Sequence, residues 1–503
     1  MKDSAEFFLR DYSSTLFPLR TNQLLVEKYA VQLKAFIKEN IIDAGGSFQN
    51  QQRVFATKRG WFLRRTVKLD PVAEFFLYDL VYRNQSLFRA SKNKQRAVFG
   101  FVIEGGQPVS TLKAYVKFKE GVALNRATYK HYAYFDVASY FNHIYHHDLV
   151  RWFEDVGATE PDLSLFGKFL REISSGRSVD CLPQGLYPAK MVGASFLSFL
   201  EASNRLRSAQ TLRLMDDTWM FDNDPRNLVS DFMLVQALLS DRGLSVNDKK
   251  SVVLEGYDAV AEMPADLDQM KIDLLRKRRE ELRESEGYGD EDEDDDDEDE
   301  EEEEDPNTLA ELTEEEQEYL VSLLKRDNVQ EEDAELVLTL MRENSADLMD
   351  FLPSLMAEFP ALSKKIYQFC GDAEDKTAIT DMILQYLDGS AQVTEFQLFW
   401  FGMTAEDHLL KTPKAGELLR ALYENDRATS ITKAKILEIA DKRFGLPDLR
   451  DEHLRTGQSD WLAWSAAIGA RVHPKGQRNQ LLKYFRKSSP MNRLIGEFVE
   501  KCF

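Results

Sequence analysis

Leu212-Arg213-Leu214-Met215-Asp216-Asp217-Thr218-Trp219-Met220-Phe221 sets two adjacent carboxylates between apolar, strand-forming residues. Two short apolar runs around a polar pair read as a β-hairpin with the acids at its turn. Charge at the centre of an apolar hairpin needs a reason beyond turn formation. Eighty residues upstream, Phe135-Asp136-Val137-Ala138-Ser139-Tyr140-Phe141 places a further acid at the end of another apolar, strand-like run. Carboxylates at the tips of adjacent strands are the ligand set that hard divalent cations require.

Between the two acidic sites lies Cys181-Leu182-Pro183-Gln184-Gly185-Leu186-Tyr187-Pro188-Ala189, followed by a helix-like run from Lys190 to Leu200. Downstream lies Gly243-Leu244-Ser245-Val246-Asn247-Asp248-Lys249-Lys250-Ser251. An aspartate, then Pro-Gln-Gly, then the Asp-Asp hairpin, then Gly-Leu-x-x-Asn-x-x-Lys: this order resembles a reverse transcriptase, over residues from about 50 to about 255. The resemblance implies metal ligation by Asp136 and Asp216, with Asp217 as the adjacent acid and Mg²⁺ or Mn²⁺ as the cofactor. It implies that Phe141 excludes a ribose 2′-hydroxyl, so that the substrates are deoxynucleoside triphosphates. Gln184 and Gly185 would lie along the incoming nucleotide, and Lys250, with Lys249 beside it, near the leaving pyrophosphate.

Two departures from the family pattern refine the resemblance. Leu214 stands where the family has an aromatic residue, and Leu186-Tyr187-Pro188-Ala189-Lys190 follows the Pro-Gln-Gly loop. With the layout described below, these make the chain look most like the abortive-infection (Abi) branch of bacterial defence polymerases. That branch implies an antiphage DNA polymerase of the bacterial cytoplasm, working without a template and primed by a tyrosine of the protein itself. It implies a homo-oligomer whose DNA product is covalently attached. Of the eighteen tyrosines, Tyr12 and Tyr29 in the N-terminal extension are the candidate primers. The competing readings are a templated RNA-directed DNA polymerase, as in retrons and introns, and a catalytically silent nucleic-acid-binding scaffold.

Charge is unevenly distributed along the 503 residues. The segments 1–289, 290–305 and 306–503 carry +3, −16 and −9, which together make the net −22. Residues 51–130 alone carry +11, a basic patch placed just before Asp136, where triphosphate and nucleic-acid phosphates need neutralising. Within it, Ser91 to Gly106 reads as a basic turn, a strand and a hairpin turn. Arg96 and then Lys94 are the candidate triphosphate ligands. Asp290–Asp305 is an unbroken run of sixteen carboxylates, a self-repelling linker that marks a boundary.

The expected fold class is α+β, with reverse-transcriptase-like fingers and palm, then an all-α helical-repeat domain resembling a HEAT-like solenoid, and no separate thumb. The expected domains are a helical extension at 1–50, fingers and palm at 51–265, a charged helix at 266–289, the acidic linker at 290–305 and helical repeats at 306–503. The last follows from apolar residues recurring at three- and four-residue spacing, as in Leu320-Val321-Leu323-Leu324 and Leu336-Val337-Leu338-Leu340-Met341.

Cys181, Cys370 and Cys502 are too few and too scattered for a disulfide framework or zinc site. No apolar run approaches the roughly 20 residues needed to span a bilayer, and Met1-Lys2-Asp3-Ser4-Ala5-Glu6 lacks a signal-peptide pattern, so no membrane partner is expected. His143, His146 and His147 share a helix-like face but lack a fourth ligand, and no Lys-Ser or Lys-Thr follows a glycine loop at P-loop spacing. The C-terminal Arg471, Lys475, Arg478, Lys483, Arg486 and Lys487, interleaved with Tyr484 and Phe485, form a candidate nucleic-acid surface.

Overall fold

Aromatic and β-branched residues at alternating positions build the central sheet of the computed structural model, which describes residues 1–89, 93–179, 182–256, 312–342, 344–389, 392–443 and 445–503. The charged segment 266–289, the acidic run 290–305 and Cys181 lie outside the described residues. The strands are β1 (Gln52–Thr57), β2 (Leu63–Lys68), β3 (Arg96–Phe99), β4 (Ile103–Glu104), β5 (Gln107–Pro108), β6 (His131–Phe135), β7 (Gln210–Leu214), β8 (Asp217–Asp222) and β9 (Val252–Gly256). Five form one sheet in the order β3-β7-β8-β6-β9, in which β3 runs parallel to β7 and all other neighbours are antiparallel. β1 pairs with β2, and β4 with β5, as separate hairpins.

The N-terminal helices are α1 (Ser4–Tyr12), α2 (Arg20–Phe36), α3 (Pro71–Arg83), α4 (Thr111–Thr128), α5 (His146–Asp155), α6 (Glu160–Ile173), α7 (Tyr187–Phe196), α8 (Phe199–Ala202) and α9 (Pro225–Ser240). Helix α4 covers one face of the sheet. Its Phe118 meets Phe99 edge-on at 5.7 Å, and the Arg126 guanidinium sits 5.1 Å from the Tyr132 ring, next to the stacked Tyr134–Trp219 pair at 4.8 Å. Helices α7 and α9 cover the other face. Phe232 packs on Phe135 at 6.1 Å, and Arg213 is fully buried, bonded to Glu201 and to the carbonyls of Ala194 and Met215. The sheet is therefore held between helical layers.

From Glu314 onward the described chain is helical. Every second helix packs on the next but one: Glu331–Leu340 on Ser363–Asp372, then Glu395–Thr404, Ser430–Leu437, Trp461–Gly469 and Pro490–Cys502, while Leu352–Glu358, Lys376–Gly389 and Ala415–Glu424 form a second row. One apolar core lies within the earlier helices, from Leu320 to Leu446. The later helices share their core with the N-terminal residues. Phe17 meets Phe396 and Phe399 at 5.7 and 5.1 Å, and Tyr29 meets Phe498 at 5.4 Å.

A buried ionic network runs along the same seam. Helix α2 has no side-chain N-cap of its own, and the missing acceptor comes from Glu438, which takes hydrogen bonds from the Arg20 and Thr21 amides at 2.9 and 2.8 Å. Lys435 pairs with Glu438 at 2.9 Å and with Glu406, and Arg20 pairs with Asp407 at 2.7 Å. Among the described residues, no helix is long and apolar enough to cross a membrane.

Candidate active site

Asp136 follows the last residue of β6, and Met215-Asp216 is the two-residue turn closed by the Leu214↔Asp217 pair of β7 and β8. Met215 adopts φ +58, the left-handed conformation that two-residue hairpin turns demand and that a non-glycine residue accepts only under strain. The register Phe135↔Thr218 brings Asp136 level with Asp217 at the next rung, with Asp216 at the tip. Sequence separation of 80 residues thus becomes lateral contact between strand ends.

The electrostatics are those of crowded acids. Burial, followed by the charges of Asp136 and Asp217, pushes the Asp216 carboxyl up to about 7. Burial and then Asp136 also raise Asp217, against the opposing pull of Lys250 and Lys119. Lys250 Nζ stands 3.6 Å from Asp136 Oδ2, and Asn247 donates its side-chain amide to the same oxygen at 3.3 Å. The 243–251 segment is held against Asp136 by Asn247 N–H to the Asp136 carbonyl at 2.7 Å and Ala138 N–H to the Ser245 carbonyl at 2.8 Å.

Phe141 and the Gln184-Gly185 loop are each fixed by packing of their own. The Phe141 ring packs on Gly193 of α7, where an added Cβ would lie 3.2 Å from it, and the Phe141 carbonyl accepts from Leu182 N–H at 2.8 Å. Thr66 of β2 clasps the Gln184 backbone through both its N–H (2.8 Å) and its carbonyl (3.2 Å). Gly185 has φ +94 and leaves no room for a side chain, since a Cβ would stand 2.7 Å from Leu16.

The β1–β2 hairpin supplies two cations that sequence reasoning placed only within the general basic patch. The Lys58 ammonium is held down by burial and by its neighbours Arg64 and Lys250, and drawn the other way by Asp136 and Asp216. Burial likewise depresses Arg64, which Asp216 offsets, and its Nε is buried with no hydrogen-bond partner. These two cations and Lys250 converge on the aspartates. The signal that could have found them is the alternation of residues 52–68 around Gly60-Trp61, a hairpin with a basic residue on each arm.

Arg96 and Lys94 do not belong to this group. Arg96 pairs in register with Thr211, five residues and about 16 Å along β7 from the acidic turn. It is 8% exposed, and its guanidinium donates to the carbonyls of Gln95, Leu206 and Ser208. Lys94 is exposed at that same far end, its carbonyl accepting from Gln210. Both candidate triphosphate ligands thus sit at the end of the strand away from the acidic turn.

Tyr12 and Tyr29, the candidate primers, are both buried. They are 7% and 5% exposed, in the seam with the C-terminal helices, with the Tyr12 hydroxyl unpartnered and the Tyr29 hydroxyl 3.4 Å from Lys501 Nζ. In the C-terminal basic stretch, Arg478 is buried, Arg471 caps the carbonyls of Glu438 and Ile468, and Arg486 pairs with Glu500. Lys475, Lys483 and Lys487 remain exposed in that stretch.

Among the described residues, no group of three or more His, Cys, Asp or Glu side chains is drawn together as a ready metal cage. The fit to a divalent ion rests on Asp136 and Asp216, two hard oxygen donors whose mutual repulsion a cation would relieve.

Residues 81–284 match the family model of reverse transcriptase (RNA-dependent DNA polymerase), so a reverse-transcriptase domain occupies this part of the chain. Among solved structures, the chain is similar to telomerase from Candida albicans in complex with a TWJ fragment of telomeric RNA, at 12% identity over 79% of this chain and 65% of that one. It is similar also to the corresponding telomerase of Candida tropicalis, at 11% identity over 84% and 66%. The chain thus spans just under two thirds of either telomerase chain, and TM-scores of 0.28 give these likenesses no weight in the argument. No curated protein matches the sequence.

Proposed function

We propose that the reverse-transcriptase domain is an active DNA polymerase that adds deoxynucleotides to a growing strand, and that it serves antiphage defence of the abortive-infection type. The observation that carries this reading is the convergence of Asp136, Asp216 and Asp217 with Lys58, Arg64 and Lys250 at one strand end. Asp136 and Asp216 would hold Mg²⁺ or Mn²⁺, which lowers the pKa of the attacking hydroxyl and stabilises the leaving oxygen. Lys58 and Arg64 bind the triphosphate and compensate its charge beside the acids. Lys250 holds Asp136 in place and meets the departing pyrophosphate. The Phe141 ring closes the space beside the sugar, and Gln184 and Gly185, fixed by Thr66 and Leu16, support the nucleotide's other side.

Synthesis in this reading is untemplated and begins on a tyrosine of the protein, within a bacterial, cytoplasmic homo-oligomer whose C-terminal helices are HEAT-like repeats. With Tyr12 and Tyr29 buried, Tyr115 takes the priming role. It is 40% exposed on α4, one turn from Lys119, whose ammonium lies 5.7 Å from the Tyr115 ring and steadies Asp217.

The test is incubation of purified protein with each labelled deoxynucleotide and Mg²⁺ or Mn²⁺, without template or primer, resolved on a denaturing gel before and after protease. Label that stays with the protein, shifts on proteolysis and disappears in Asp216→Asn and Tyr115→Phe is the expected result. Incorporation that needs an RNA template and a primer would replace it with a templated reverse transcriptase. Cellular protection that survives Asp216→Asn would leave a silent scaffold.

A further inference from the structure

Among the described residues, the hairpin that brings Lys58 and Arg64 to the aspartates has no third strand, and an isolated two-stranded hairpin is marginally stable in water. Its outer edge is held from the C-terminal helices instead. Phe55 N–H on β1 donates to Glu395 Oε2 at 2.8 Å, and Thr57 Oγ1 lies 3.1 Å from Thr394 Oγ1. At the turn, Arg59 pairs with Glu332, and the Gly60 amide bonds Glu331.

Glu395 is the contact that decides position. It opens the helix Glu395–Thr404, a rigid element whose start is fixed by the Thr394–Gln397 capping box, and its other carboxylate oxygen accepts from Thr429 Oγ1 at 2.6 Å. Both groups facing it are neutral donors, so the carboxylate serves as a fixed acceptor rather than as half of an ion pair. Phe55 lies opposite Arg65, one rung from the Ala56↔Arg64 pair and three residues before Lys58. A bond at Phe55 therefore sets where both cations point.

We propose that Glu395 is a positioning residue for the nucleotide: it anchors the edge of β1 so that Lys58 and Arg64 stand over the aspartates, and the C-terminal helices thereby set triphosphate affinity. This rests on the reading of the hairpin as the triphosphate site. It assigns the C-terminal region a direct part in substrate binding from which no C-terminal side chain need touch the nucleotide.

The test uses the full-length protein and measures two quantities, hydrogen exchange of the amides of residues 52–68 without nucleotide and the KM for deoxynucleoside triphosphate. Glu395→Ala should speed hairpin exchange and raise KM about tenfold, the loss of one hydrogen bond to a charged acceptor, with kcat little changed. Glu395→Gln should restore both, because the amide oxygen still accepts from Phe55 and the amide nitrogen can donate to Thr429. Should Glu395→Ala fail to fold, Thr429→Val, which frees the other carboxylate oxygen, should move KM in the same direction by about threefold.

Faster hairpin exchange with an unchanged KM overturns the inference and leaves the polymerase reading standing. A KM shift that Glu395→Gln does not repair overturns it as well. A wild-type protein that binds no triphosphate while its hairpin still loosens in Glu395→Ala refutes the polymerase reading, and this inference with it.

Discussion

Two clusters of charged groups in this molecule, the seam and the acidic strand end, are treated in opposite ways. At the seam, Glu438 accepts from two amides and from the Thr21 hydroxyl and faces Lys435, which also meets Glu406, so nearly every buried charge has an opposite or a donor. At the strand ends, Asp136, Asp216 and Asp217 press on one another, with Lys250 no closer than 3.6 Å. A satisfied buried network holds elements together, whereas a cluster of like charges kept in tension awaits a ligand that resolves it. The seam holds balanced charge and the strand end holds unbalanced charge.

Substitutions can break that contrast in graded steps. Asp216→Asn should lower nucleotide incorporation by more than about a hundredfold, since loss of mere supporting partners of a metal ligand costs 10–100-fold. It should not lower the melting temperature, because it removes a repulsion; a marked destabilisation in calorimetry would place Asp216 with the seam instead. Lys435→Ala should do the reverse, costing about 3–5 kcal/mol in denaturant unfolding by leaving Glu406 and Glu438 buried without their cation.

A smaller effect separates the two sets of basic residues. Lys58→Ala should raise the KM for deoxynucleoside triphosphate about tenfold, the worth of a charge-assisted contact, whereas Lys94→Ala should leave it unchanged. Equal effects in steady-state kinetics would return the triphosphate to the far end of β7.

The seam also contains a cation held against its preference. Burial lowers Lys364 from 10.5 to about 8, although Asp11 opposes this and its ammonium donates to the Ser13 carbonyl at 2.8 Å. Between those two values the unfolded chain binds the proton that the folded chain has lost, so stability gains as pH rises from about 8 to 10.5 and the charged form is penalised below. The stability difference between wild type and Lys364→Met should narrow over that window, and a flat difference would show that Lys364 is solvated. The smallest effect belongs to Glu332→Ala, whose exposed pair with Arg59 should be worth under about 1 kcal/mol in thermal unfolding.

The amino-acid sequence by itself determined the parts whose meaning is local. The hairpin around the acidic pair, the strand ending at Asp136, the Gly105-Gly106 turn between β4 and β5, and the recurring helices after Glu314 all follow from short-range periodicity and turn chemistry, although the turn itself is Met215-Asp216 rather than the two acids. So did the resemblance to a reverse transcriptase, which the family match at residues 81–284 supports.

What only the tertiary structure decided is which side chains share a volume. Arg96 and Lys58 look alike in a list of basic residues, yet one caps carbonyls at the far end of a strand and the other reaches the acids. Tyr12 and Tyr29 sit in a segment that reads as a helical N-terminal extension, and Phe396, Phe498 and Glu438, all from beyond residue 390, close over that segment. Periodicity records which face of an element is apolar, and it carries no information about which distant element will cover that face. That assignment is made by packing between residues hundreds of positions apart, and here it separates the paired charges of the seam from the crowded acids of the strand end.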